Sequence, residues 1–154
     1  MTNSKMTDAK MNDAKKTDPF YQFCQRPLSE FHFAQEIYHC EKKDSIKDVV
    51  KGMAFNNIGC VVIMDQKKPI GIFTERDMLK RVYLKITDIE KQKIDTVMTP
   101  NPVCVQDTTS LKTVLEGMKE GRFRHMVVVN DKKEATGVIS IKDVLGAISS
   151  YFEG

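Results

Sequence analysis

Gly71-Ile72-Phe73-Thr74-Glu75-Arg76-Asp77-Met78-Leu79 returns 66 residues later as Gly137-Val138-Ile139-Ser140-Ile141-Lys142-Asp143-Val144-Leu145. Gly, Asp and Leu are identical, and Ile/Val, Phe/Ile, Thr/Ser, Arg/Lys and Met/Val are like-for-like exchanges. Upstream, a shift of 65 lays 45–68 over 110–133, with one residue inserted near Pro69. Ser45, Lys47, Val49, Gly52, Met53, Val62, Lys67 and Lys68 meet Ser110, Lys112, Val114, Gly117, Met118, Val127, Lys132 and Lys133. Eight identities in 24 positions exceed the roughly one or two expected from average residue usage. The chain is therefore read as an internal duplication.

Each copy reads as β-α-β-β-α. The first strands are Ile37–Cys40 and Pro102–Val105. A helix follows, expected to be capped by Asp44 or Thr109, with apolar Val49, Val50 and Met53, or Val114, Leu115 and Met118, on one face. Short β-branched strands come next, Cys60–Met64 with Ile70–Phe73 and His125–Val129 with Thr136–Ile139, joined by Lys, Asp and Asn turns. A second helix starts at Thr74 or Ser140. A unit of about 60 residues is marginal alone. Two units sharing one core predict an α+β fold of tandem repeats, packed sheet to sheet with helices outside.

Composition sets the outer limits. The 154 residues are 41% hydrophobic and 29% charged, with a net charge of +3 spread along the chain. No basic arm for nucleic acid stands out, and the longest aliphatic run, Val61–Met64, is too short to cross a membrane. Residues 1–18 read as a disordered polar tail, having no apolar face. Residues 19–35 form an aromatic arm with Phe20, Tyr21, Phe23, Phe31 and Phe33, expected to pack on the domain or on a partner subunit. The first repeat is placed at 36–85, a proline-stiffened linker at 86–101, and the second repeat at 102–152. Cys24, Cys40, Cys60 and Cys104 form no CxxC pair, and His32, His39 and His125 add no HxxxH, so no metal site is expected. Reduced cysteines suit a cytoplasmic protein.

The chemistry concentrates in Gly-x-x-Thr/Ser-x-x-Asp, present as Gly71, Thr74, Asp77 and as Gly137, Ser140, Asp143. A strand ends there and a helix begins, so free N–H groups favour an anion. The hydroxyl can donate to a phosphate oxygen. The carboxylate, one turn on, can accept from both hydroxyls of a ribose diol. The same spacing also makes a capping box with Asp in the Glu position, and Ser45-Ile46-Lys47-Asp48 repeats it where no ligand is expected. No nucleophile elbow, P-loop or Ser-His-Asp order is present, so no catalytic residue is assigned and an enzyme is not expected.

The duplicated pattern resembles the paired cystathionine-β-synthase (CBS) domain, or Bateman module, over about 29–153. The motifs are Val97-Met98-Thr99-Pro100 before the second copy, Phe123-Arg124-His125-Met126-Val127-Val128-Val129, and the two heptads. The resemblance implies a disc-like dimer, within a chain or between two chains, that binds an adenosine derivative such as AMP, ADP, ATP or S-adenosylmethionine in two clefts between the sheets. It implies that Asp77 and Asp143 hold ribose, and that Thr74 and Ser140 contact ribose or phosphate. Arg124 and His125 would face phosphate opposite Asp77, with Arg76 and Lys142 as further cations. Ile58, Cys60, Val61, Val103 and Val105 would sandwich adenine.

The first copy has Gly59-Cys60 where the second has Arg124-His125. Unequal sites are therefore expected, with the Asp77 site the better phosphate binder. The function expected is a stand-alone nucleotide sensor, dimeric, acting on an unidentified effector protein. A ligand-free scaffold or interaction module is the alternative, and neither membrane nor nucleic acid is an expected partner. Apart from that regulatory nucleotide, no cofactor is expected.

Overall fold

The computed structural model describes residues 16–31, 33 and 36–153. Most of the tail expected over 1–18 lies outside them, as does His32. Residues 16–18 lead directly into α1 (Pro19–Gln25), where the Asp18 carboxylate accepts from the Tyr21 N–H at 2.8 Å.

In chain order, β1 (His39–Glu41), α2 (Ile46–Phe55), β2 (Cys60–Asp65) and β3 (Lys68–Thr74) make the first repeat. A short helical turn, α3 (Glu75–Asp77), then opens into a π-helical stretch, Met78–Tyr83. β4 (Thr99–Pro100) follows. The second repeat is β5 (Cys104–Gln106), α4 (Leu111–Gly121), β6 (His125–Val129), β7 (Ala135–Ser140) and α5 (Ile141–Glu153). The fold is α+β, with one sheet in the order β1-β2-β3-β4 and another in the order β5-β6-β7. The duplication holds to the residue: Cys40 pairs with Ile63 in parallel, and Val105 with Val128.

The predicted strands are found, each displaced or lengthened by a residue or two except His125–Val129. The helix caps are corrected. Ser45 and Ser110, not Asp44 and Thr109, accept from the N–H three residues on, at 3.1 and 3.2 Å. Asp44 is one residue too early and instead receives the Glu41 N–H at 2.9 Å. The lysine turns are confirmed: Gln66 and Lys67 have φ of 47° and 71°, the left-handed pair of a two-residue hairpin.

The chain divides into two compact units. One holds the described residues of 34–106 with 125–139, hence both sheets. Within it, Ile46, Val49 and Met53 of α2 bury against Val61, Ile63 and Phe73, together with Val82, Ile94 and Val97. Residues 86–101 therefore do more than join the repeats, since Ile94 and Val97 are core. The two sheets share a smaller cluster of Val62, Val127 and Val129. Their hairpins meet where the Ala135 N–H donates to the Lys67 carbonyl at 2.9 Å.

The other unit holds the described residues up to Phe33, with 107–124 and 140–153. Here the aromatic arm finds its partner within the chain. Phe20 lies 5.3 Å from Tyr151 and 5.6 Å from Phe152, and Phe23 lies 4.7 Å from Tyr151, between ring centres. Arg26 sits over the rings of Phe23 and Phe31. Leu28, Leu111, Val114, Met118 and Val144 are buried.

Candidate functional site

β3 ends at Thr74 because that residue caps the helical turn after it. The Asp77 N–H donates to Thr74 Oγ1 at 3.4 Å, while the Thr74 N–H and hydroxyl donate to Asp77 Oδ2 at 3.0 and 2.7 Å. The second copy repeats this. The Ser140 N–H and hydroxyl both donate to Asp143 Oδ2 at 2.7 Å, and the Asp143 N–H returns to Ser140 Oγ at 3.3 Å. Reciprocal capping therefore holds one oxygen of each carboxylate. Ser45 and Asp48 make the side-chain half of this exchange on an exposed surface, the hydroxyl donating to Oδ2 at 2.8 Å and the Asp48 N–H to Ser45 Oγ at 3.1 Å, without the arm from the cap residue's own N–H. A hydroxyl-to-carboxylate contact alone does not set the Gly-x-x-Thr/Ser-x-x-Asp loops apart.

Burial and the second oxygen do. Asp77 is only 9% exposed and is the one buried charged residue among the described residues. Its Oδ1 lies 3.5 Å from the Thr99 hydroxyl and 3.5 Å from Arg81 Nε. Arg81 in turn donates through Nη1 to the Val97 and Met98 carbonyls at 3.1 and 2.6 Å. Asp143 is half-buried, and its Oδ1 carries no hydrogen bond among the described residues. The position equivalent to Arg81 is Ala147. Each loop thus presents a fixed carboxylate with one oxygen committed to the backbone and one turned elsewhere.

Cys60 is the strand partner of Thr74. Its thiol is pushed up to about 12, chiefly by burial and then by the Asp77 charge. It stays a neutral, weakly polar wall beside the carboxylate.

Gly71 has a packing reason. A Cβ there would collide with the Met98 sulfur, which rests on the strand. Gly137 has no such neighbour, since a Cβ would meet only Val128, at 3.7 Å.

The other expected site residues are spread through the fold. Ile58 is half-buried and packs on the first core. Val61 is fully buried with its side chain in that core, which leaves only its main chain for a ligand. Val105 is half-buried on β5, and Val103 is 44% exposed with its carbonyl held by the Val127 N–H. His125 opens β6 half-buried, while Arg76, Arg124 and Lys142 are exposed. The Arg124 carbonyl receives the Ile141 N–H at 2.9 Å, beside Ser140. Sequence reasoning missed Arg81 and Thr99. The i,i+4 spacing from Asp77 to Arg81 is a legible ion-pair signal. Thr99 carries no such signal, because its reach depends on β4 pairing with β3.

A model of the CBS domain matches the chain twice, over residues 30–84 and 94–150. The chain belongs to the CBS domain family. It is a CBS pair, as the two sheets and the repeat register require. Among curated relatives, the mitochondrial CBS domain-containing protein CBSX3 of Arabidopsis thaliana is 31% identical over 114 residues, covering 71% of this chain and 55% of the relative. The meiotically up-regulated gene 70 protein of Schizosaccharomyces pombe is 28% identical over 79% of this chain. The chain spans only 17% of that protein, so the first curated relatives are much longer than the CBS pair they share. Two solved structures agree in fold. A CBS-domain containing protein of Agrobacterium tumefaciens is 31% identical with a TM-score of 0.70, covering 79% of this chain and 90% of its own. A CBS domain protein of Pyrobaculum aerophilum, complexed with AMP, is 26% identical with a TM-score of 0.70, covering 80% and 98%.

Among the described residues, no group of three His, Cys, Asp or Glu side chains is arranged to hold a metal ion. No helix among the described residues is long and apolar enough to cross a membrane.

Proposed function

We propose that this CBS pair is a regulatory module that binds an adenosine derivative at its Gly-x-x-Thr/Ser-x-x-Asp loops and signals by a change of conformation or assembly. The observation that carries this reading is the split use of the two carboxylates. Oδ2 is fixed by the residue's own loop, so a diol meets Oδ1 without a rotamer search and, at Asp77, displaces only two contacts of 3.5 Å. The Pyrobaculum relative solved with AMP supports the ligand class. In this reading Thr74, Asp77, Ser140 and Asp143 hold ribose and its neighbouring oxygens. Arg76, Arg124, His125 and Lys142 supply cations for phosphate. Ile58, Cys60, the Val61 main chain, Val103 and Val105 flank the base. The module is not catalytic, works in the cytoplasm, and delivers its output through a separate effector protein.

Self-association fits the surface. Phe55 and Leu79 are 90% and 66% exposed, and Val50, Met53, Ala54, Ile58, Met78 and Leu79 line a recess of about 370 Å³. Apolar surface gathered in this way marks an interface. Sedimentation at micromolar concentration checks the homodimer, and a monomer throughout would remove it.

A second reading, a ligand-free scaffold, is favoured by one observation: the capping hydrogen bonds already occupy half of each carboxylate. Thermal unfolding with AMP, ADP and ATP separates the two readings. Ligand at about 100 times its dissociation constant adds roughly 2.7 kcal/mol, a shift of several degrees. No shift with any adenosine compound at millimolar concentration leaves the scaffold.

A further inference from the structure

Arg81 joins Asp77 to the segment that leads into the second repeat. Its Nε faces Asp77 Oδ1 at 3.5 Å, and its Nη1 holds the Val97 and Met98 carbonyls at 3.1 and 2.6 Å. The next residue, Thr99, turns its hydroxyl to the same Oδ1 at 3.5 Å and pairs with Ile72 of β3. One carboxylate oxygen thus faces two groups, and both belong to, or hold, the segment 97–99. The two grips differ in strength. The carbonyl contacts are of ordinary length, while both contacts to Oδ1 are at the outer limit of a hydrogen bond. A better donor displaces them easily. Among the described residues the second repeat shows no such device, with Ala147 at the equivalent position and a regular α5 in place of the π-helical stretch that carries Arg81.

Resting on the reading of Asp77 as a ribose ligand, we propose that Arg81 is a positioning residue that couples occupation of the Asp77 site to the segment 97–100, and that this coupling belongs to the first repeat alone. A ribose diol donates its hydroxyl hydrogens to Oδ1 and so competes with Arg81 and Thr99 for that oxygen. Once the oxygen is taken, Thr99 loses its acceptor and the guanidinium loses its counter-charge. The planar fork, which spans carboxylate and carbonyls together, then has no fixed end on the site side. Segment 97–100 is released from β3. The ligand acts by favouring that arrangement through its differential affinity.

Hydrogen exchange of the full chain, with and without saturating AMP, tests this alongside calorimetry. The reporters are the Val97 and Met98 amides, which now donate to the Ile94 carbonyl, and the Asn101 amide, which donates to Ile70. In the wild type, AMP should speed their exchange severalfold. Arg81→Met should exchange fast there without ligand and gain nothing from AMP, while binding AMP about two- to fivefold more tightly for want of a competitor. Arg81→Lys keeps a charge but not the fork, and should also lose the response. AMP that binds the wild type without altering these amides would overturn the coupling and leave the nucleotide reading intact. So would the same response in both variants. AMP that fails to bind the wild type overturns the coupling together with the reading on which it rests.

Discussion

Leu28 and Ile94 hold equivalent places in the two copies, and each docks on the helix start of the other copy. The Leu28 N–H donates to the Thr109 carbonyl at 2.9 Å, and the Ile94 N–H to the Asp44 carbonyl at 2.9 Å. Beside them the Leu111 N–H reaches the Arg26 carbonyl and the Ile46 N–H reaches the Gln92 carbonyl, both at 3.0 Å. These bonds pair the otherwise orphaned first donors of α4 and α2. Both side chains are buried, 4% and 0% exposed.

Because each plug fills the core beneath a helix start, Ile94→Ala and Leu28→Ala should each lower stability by about 2–5 kcal/mol. Denaturant melts of the two variants check this. A loss below about 1 kcal/mol at either position would show that the segment only lies on the surface.

Asp77 should separate from its capping look-alike. Asp77→Ala should weaken AMP binding roughly ten- to a hundredfold, the loss of charge-assisted hydrogen bonds worth about 1.5–3 kcal/mol. Asp48→Ala removes the matching hydroxyl-to-carboxylate contact at an exposed loop and should leave AMP affinity unchanged. Equal effects in calorimetry would reduce Asp77 to a cap.

The two sites should not be equal. The Asp77 site is expected to be the stronger for phosphate-bearing ligands, since Arg124 and His125 have only Gly59 and Cys60 as counterparts. Calorimetry with AMP should resolve two affinities, and Asp143→Ala should abolish the weaker one. A single affinity at two sites per chain would contradict this.

Alkaline stability should report the buried thiols. Burial, and then the Asp77 charge, push Cys60 from 9.0 up to about 12, while burial and Asp44 push Cys40 to about 12. Both folded values are raised, so between pH 9 and 12 the unfolded chain releases protons that the folded chain keeps. Stability is therefore full below about pH 9 and declines as pH rises toward 12. Cys60→Ala should flatten that decline in denaturant titrations. A slope identical to the wild type would mean the thiol is freely hydrated.

The strands, turns and Asp-bearing loops were legible because they rest on local rules: β-branched runs, turn chemistry, and a heptad written twice. Their displaced ends follow from competition between neighbouring side chains. Asp44 and Ser45 are both good caps, and Ser45 wins because Asp48 lies three residues on to answer it. The docking of 26–31 and 92–97 was not legible. Arg26-Pro27-Leu28-Ser29-Glu30-Phe31 and Gln92-Lys93-Ile94-Asp95-Thr96-Val97 share no residue at matched positions. Only main-chain hydrogen bonds and one buried aliphatic side chain define the equivalence. Thr99 escaped for a related reason, since its meeting with Asp77 spans 22 residues of chain.

The exchange of Leu28 and Ile94 has a consequence for how such a protein can be divided. Cutting between the copies separates each half from its own stopper, because the peptide preceding either half serves the opposite one. A fragment ending at residue 85 would keep the Ile46 donor and lose the Gln92 acceptor that satisfies it. One half could recover the arrangement only by trading leading peptides with a twin.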